Sequence, residues 1–307
     1  MRRLPLFALP TAMAWLMAGC NVQPGSGGDA AVPSVLGAGA TFPAPLYQRW
    51  FSRLLVRERL SIRYTPINSA AGEQQLLAGQ IDFAGSDFPA TRADWIQIPT
   101  TAGAIAVAYN HPGCRPRLNP EQLRKILAGV IHDFSQLNCT PSPLRLVVRS
   151  DRSGSTAHLL NYLNLSTSQP WHVSSARVVY SNEAMATTLM QQEGSLGYLD
   201  TVYLQGRFKL RTAELRNQDG RFLPPDAAAV DLALRQWPEP RQGYPLAVAT
   251  WLLLPKSGLG RKAAVMKQAL AYALSPSGQQ EARILGYAPL PASLLNVAQN
   301  GINTIQP

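Results

Sequence analysis

The sequence is short of charge, of histidine, of cysteine and of long apolar runs, and each shortage removes a class of function. Charged residues fill only 15% of the 307 positions while apolar types fill 46%, so the low hydrophobicity and dense charge of a disordered chain are absent. The four histidines, His111, His132, His158 and His172, stand too far apart for a short-range zinc motif, and the three cysteines lack zinc-ligand spacing, so no metal is expected. No Gly-Lys-Ser/Thr occurs, which removes a Walker A loop. Gly37-Ala38-Gly39 is followed by Phe42 rather than a further glycine, and no acidic ribose partner lies where a dinucleotide fold needs one, so no cofactor is expected either. A formal charge of +10 permits an anionic partner, but the basic residues are scattered and accompany no helix-turn-helix, zinc-finger or RNP pattern. No nucleic-acid partner is expected.

The one sizeable apolar run is at the amino terminus. Arg2 and Arg3 precede Leu4 to Ala18, too short for a membrane span of about 20 residues and suited to a signal-peptide core. It ends in Leu16-Met17-Ala18-Gly19-Cys20, which resembles the lipobox of bacterial lipoproteins. The expectation is a signal peptide over 1–19, lipidation of Cys20 and a Gly-, Pro- and Ser-rich tether over 20–34, with ordinary cleavage a few residues later as the other reading. Cys114 and Cys139 remain; they form a disulfide in an oxidising compartment or stay as two buried thiols, and sequence leaves both readings open.

From Val35 onward, strand-like apolar runs alternate with segments of helical period, the pattern of an α/β protein. Leu46, Trp50, Phe51, Leu54 and Leu55 share one predicted helix face; strands are predicted at 62–67, 81–87, 101–109, 144–149 and 247–254. Asn119-Pro120 caps a helix over 121–128, and further helices are predicted at 182–192, 227–237, 261–274 and 276–285. Three segments place glycine or hydroxyl residues where a strand hands over to a helix: Gly37-Ala38-Gly39-Ala40-Thr41-Phe42, Ser69-Ala70-Ala71-Gly72 and Ser153-Gly154-Ser155-Thr156. Such ends offer amide donors, hydroxyls and the positive end of a helix dipole to an anion. Arg149, ending a strand, adds a fork of donors suited to a tetrahedral oxyanion. Taken singly, a Gly-rich turn before a helix is more often a structural cap.

Matched as whole segments, they say more. GAGATFPAP at 37–45, NSAAG at 68–72, DFAGSD at 82–87 and RSDRSGST at 149–156 resemble, in order and spacing, the phosphate-binding proteins of high-affinity phosphate ABC transporters; Gly194-Ser195-Leu196-Gly197-Tyr198 resembles that family's later Gly-x-x-Gly-Tyr segment. The resemblance covers about Val35 to Leu290. It implies a periplasmic binding-protein fold of the type II kind, with two α/β lobes, a hinge and a ligand cleft between them. Lobe one would hold 35–102 with 250–307 and lobe two 103–249. It further implies that inorganic phosphate is held by Thr41, Phe42 (through its backbone N–H), Ser69, Asp87, Arg149, Ser153, Gly154 and Ser155, and passed to a membrane permease from the periplasm, with the membrane as a further partner through the lipid anchor. Ser155 stands where the family commonly has Thr, and Arg152 where it usually has Gly.

Asp87 carries the sharpest implication. A carboxylate facing an anion repels it unless the anion still has a proton to donate, which phosphate has at neutral pH and sulfate has not. Asp151, two residues after Arg149, either orients the guanidinium or bonds its own turn backbone. Two rival functions stand beside transport. A secreted or surface phosphatase of the same fold would need an activated nucleophile, and Ser69 and Ser153 have no histidine nearby in sequence; a phosphate sensor without a permease would use the same cleft.

Overall fold

The computed structural model describes residues 33–150, 153–166, 175–205, 210–237 and 241–307. The expectations for 1–32, including cleavage after residue 19 and lipidation of Cys20, and the role of Asp151 lie outside the described residues. Among the latter, no helix is long and apolar enough to cross a membrane.

The first half of the chain runs β1 (Val35–Gly39), α1 (Ala44–Glu58), β2 (Ile62–Pro66), α2 (Ser69–Leu77), β3 (Phe83–Ser86) and β4 (Trp95–Asn110). It continues through β5 (Arg117–Leu118), α3 (Pro120–Leu127), β6 (Arg145–Arg149) and α4 (Gly154–Tyr162). The second half comprises β7 (Arg177–Val179), α5 (Asn182–Gln191), β8 (Ser195–Asp200), β9 (Arg211–Thr212), β10 (Glu214–Arg216) and β11 (Phe222–Leu223). It ends with α6 (Ala227–Leu234), β12 (Ala247–Pro255), α7 (Lys262–Leu274), α8 (Pro276–Ile284) and α9 (Ala292–Asn303).

The main sheet has the order β2-β1-β3-β12-β4-β8-β6-β7, with β9 on the far end of β4; β11, β10 and β5 form a separate small sheet. β4 joins the two halves of the main sheet. Of its first ten residues all but Thr100 pair antiparallel with β12, and its last six pair antiparallel with β8. Such a long strand needs side chains that tolerate burial on both faces, and 95–110 is a nearly unbroken apolar run. The strand expected over 101–109 thus begins six residues earlier, at Trp95, and runs through Pro99. The register shift between Thr250 and Trp251 resolves this: Thr250 faces Thr101 and Trp251 faces Pro99, so Thr100 is an extra residue, and this bulge lets the strand pass through a proline. Further along the same pair, Ala102 lies opposite Ala249.

On α1, Leu46, Tyr47, Trp50, Phe51 and Leu54 face the core, a stripe of helical period. Leu55, expected on that face, is 54% exposed, because the apolar arc is filled from the other side by Tyr47, whose ring packs on Trp50, Phe51 and Tyr64. Gly39 has φ of +143°, and a Cβ there would fall inside the Gly85 backbone, so glycine permits the close approach of β1 and β3 that brings their ends together. Cys114 and Cys139 are joined with Cα atoms 4.8 Å apart, which decides between the two readings and suits an oxidising compartment.

Candidate functional site

The carboxyl ends of β1, β3, β6 and β8 deliver Thr41 and Phe42, Asp87, Arg149 and Asp200, while the amino-terminal turns of α2, α4 and α5 supply Ser69, Ser153 to Ser155 and Asn182. A crevice outside the carboxyl ends of strands, at the point where sheet order changes, is where α/β folds place ligands.

Asp87 is buried, and three groups fix it. Its backbone N–H donates to Ser69 Oγ at 3.3 Å, its Oδ1 accepts from Thr250 Oγ1 at 3.0 Å, and its backbone carbonyl accepts from His158 Nε2 at 2.7 Å. Oδ2 is left facing Gly154, where a Cβ would fall inside the Asp87 side chain; only glycine lets the α4 amino terminus come so close. Burial, then the charge of Asp200, pushes the Asp87 carboxyl up to about 7, against the opposing pull of the Thr250 hydroxyl, the Arg149 guanidinium and the Ser69 hydroxyl. Arg149 is itself almost wholly buried, and its backbone N–H donates to Tyr198 OH at 3.2 Å. A buried guanidinium and a buried carboxyl within each other's field, at the start of a helix, form a polar site in which the acid holds its proton near neutrality.

Hydrogen-bond directions show what each hydroxyl can still do. Thr41 Oγ1 accepts from Asn182 Nδ2 at 3.0 Å and its carbonyl accepts from Tyr203 OH at 2.9 Å; with its oxygen used as acceptor, the Thr41 hydroxyl keeps a hydrogen to donate. Ser69 Oγ accepts from the Asp87 amide, and its hydroxyl also favours the charged Asp87 carboxylate beside it. Phe42 is fully buried, and its carbonyl accepts from Tyr287 OH at 2.6 Å.

Across the crevice, Ser153 is the N-cap of α4, accepting from Thr156 N–H at 3.1 Å, and a hydroxyl chain runs from Ser153 to Thr156 to Tyr198. The cap leaves the Gly154 and Ser155 amides as first-turn donors on the positive end of the helix. Ser155 differs from the expectation of a ligand-facing hydroxyl. It donates to Asp200 Oδ1 at 2.9 Å, so its hydroxyl hydrogen is already committed within the protein. Asp200 is gripped in turn by Asn182, whose amide donates to its Oδ2 and whose carbonyl accepts from its backbone N–H at 3.1 Å.

All eight residues expected around an oxyanion therefore sit at this one crevice. Sequence reasoning missed Asp200, Asn182, Thr250, Tyr203 and His158 as parts of the site. Asp200 was open to discovery, because Gly197-Tyr198-Leu199-Asp200 ends an apolar strand in a carboxylate just as the 82–87 segment does. His158 carried no such signal; only the packing of α4 brings it here. Among the described residues no group of three or more histidine, cysteine, aspartate or glutamate side chains is arranged to hold a metal ion.

Comparison with known proteins agrees in fold and length. The family model described as a PBP superfamily domain matches residues 24–277. The phosphate-binding protein PstS of Haemophilus influenzae is 29% identical over 311 residues, spanning 87% of this chain and 92% of its own. Of solved structures, a phosphate-binding protein from Stenotrophomonas maltophilia has a TM-score of 0.70 at 17% identity, covering 87% of this chain and 93% of its own. An ABC-type phosphate transport receptor from Vibrio cholerae has a TM-score of 0.64 at 17% identity, covering 84% of this chain and all of its own. The architecture is the mixed α/β fold of periplasmic binding proteins.

Proposed function

Because the chain belongs to the PBP superfamily, we propose that it binds inorganic phosphate in the crevice between β1–β3 and β6–α4 and hands it to an ABC transporter permease. The observation that carries this is the convergence of Asp87, Arg149 and the α4 amino terminus in one buried site. Thr41 and Ser69 donate hydroxyls, Phe42, Gly154 and Ser155 donate backbone amides, Ser153 lies at the cap, and Arg149 supplies the charge. Phosphate brings a proton that Asp87 and a phosphate oxygen share. Sulfate has none to bring, so its binding requires Asp87 to be protonated from solvent.

The crevice lies between two lobes, 35–102 with 250–307 and 103–249, and ligand bridging them stabilises the closed form. The facing of Ala102 and Ala249 supports this division, since both crossings then fall at one place in the sheet. The disulfide and the signal-like amino terminus suit a periplasmic protein tethered through Cys20. Binding without turnover is supported by His158. Among the described residues it is the histidine that reaches the site, and its ring is held by the Asp87 carbonyl and stacked on Phe88 rather than bonded to Ser69 or Ser153. Calorimetric titration of ligand-stripped protein with phosphate and then sulfate tests the reading. Tight phosphate binding with little sulfate binding at pH 8 is expected; absence of phosphate binding overturns the function, and equal affinity overturns the role of Asp87.

A further inference from the structure

His158 reaches the expected oxyanion residues only at the backbone carbonyl of Asp87, yet it makes a direct link between the two sides of the crevice. It lies four residues after Gly154 in α4, one helical turn on and on the same face. That face meets the end of β3 at two points. Gly154 lies against the Asp87 carboxylate, and the His158 ring stacks on Phe88, centroids 3.8 Å apart with planes 8° from parallel. A carbonyl only accepts, so the 2.7 Å contact to the Asp87 carbonyl requires the proton on Nε2. Of the three groups that fix Asp87, Ser69 and Thr250 come from the same side of the crevice as Asp87 itself; His158 alone comes from the opposite side. At the other end of the site, Asn182 and Tyr203 make the comparable reach onto Thr41.

We infer that His158 is a positioning residue that holds α4 on Asp87 and Phe88, with or without ligand, and so sets how fast bound phosphate is released. This rests on the phosphate reading above. Opening must break the hydrogen bond and unstack the rings before the α4 amides leave the ligand. Their loss raises the opening rate while the encounter of phosphate with the open form is unchanged.

Two variants separate the contacts: His158→Phe keeps the stack and removes the donor, and His158→Gln keeps a donor and removes the ring. Phosphate release is timed by stopped-flow chase into a phosphate scavenger, with hydrogen exchange of residues 86–90 followed in the ligand-free protein. Release from His158→Phe is expected to be about three- to tenfold faster, the worth of one hydrogen bond, with association within about twofold of the parent. Exchange at 86–90 is expected to rise, and His158→Gln to fall between Phe and parent. A lowered unfolding midpoint with unchanged release marks a merely structural histidine and overturns the inference, as does unchanged exchange. If the parent binds no phosphate, the phosphate reading fails by itself, and the exchange measurement still decides whether His158 docks α4 on Asp87.

Discussion

The β1–β3 side of the crevice and the β6–α4 side both present hydroxyls at strand and helix ends, but their hydrogen bonds run in different senses. On the first side Thr41 accepts from an Asn182 N–H, which leaves its hydrogen for a ligand, and Ser69 accepts from the Asp87 amide while its hydroxyl favours the Asp87 carboxylate. On the second, Ser155 donates to Asp200 and Ser153 is occupied as a helix cap, so that side offers chiefly backbone amides and the Arg149 guanidinium. The difference teaches a division of labour. On the proposed phosphate reading, the β6–α4 side would supply positive potential that any tetrahedral oxyanion feels, whereas the β1–β3 side, which holds Asp87, would test whether the anion is protonated.

The largest effect should come from the charge. Arg149→Ala is expected to weaken phosphate and sulfate alike, by at least about 30-fold, because a buried charged donor is removed opposite an anion; titration of both ions checks it, and a change in their ratio instead would break the comparison. Next comes the seam between the sides. Gly154→Ala forces a methyl into the place of the Asp87 side chain, and phosphate binding should fall by about 5- to 150-fold in a protein that still unfolds cooperatively. Unaltered binding would show that the two sides do not meet as closely as described. Asp87→Asn should move the ratio more than either affinity. Phosphate is expected to lose about tenfold or less while sulfate gains, since the amide can donate where the carboxylate only accepts. In the parent, sulfate binding should strengthen as pH falls below about 7, where Asp87 takes up its own proton. A sulfate affinity flat from pH 8 to 5 would separate Asp87 from selectivity.

Legibility in the sequence follows the same division. The glycine and hydroxyl segments were readable because the backbone needs those residue types to turn at a strand end, and the structure gathers Thr41, Phe42, Ser69, Asp87, Arg149 and 153–155 at one crevice. What sequence could not show is which partner each hydroxyl takes. Ser155 looks like a ligand donor until Asp200, 45 residues on, is seen to accept its hydrogen. The strands of two or three residues, β5, β7, β9, β10 and β11, are too short for a period to register. α9 was not foreseen because Asn, Gln and Gly dilute its stripe, yet Leu294, Ala298 and Ile302 are buried at four-residue spacing. Residues 95–100 extend β4 past its expected start because the bulge at Thr100 accommodates Pro99, and that bulge lies beside Thr250, a residue that holds Asp87.

The smallest expected effect concerns the ligand-free protein, where Asp87 and His158 pull stability in opposite directions with pH. Asp87 is raised from 3.8 to about 7, so between these values the folded state holds a proton that the unfolded state has released, and stability falls as pH rises. His158 is lowered from 6.5 to about 4 by burial, against the Asp87 carbonyl bond that favours its charged form. Between about 4 and 6.5 the unfolded state therefore binds the extra proton, and stability rises with pH. The two slopes overlap and largely cancel, so urea midpoints of the parent should vary little from pH 4.5 to 6.5. Asp87→Asn removes the falling slope and leaves the rising one, giving a variant whose midpoint climbs over that range. His158→Phe leaves the falling slope, and its midpoint should decline. Parallel profiles for parent and both variants would mean that neither group titrates abnormally, and the contrast between a side that tests the proton and a side that supplies charge would then lose its electrostatic basis.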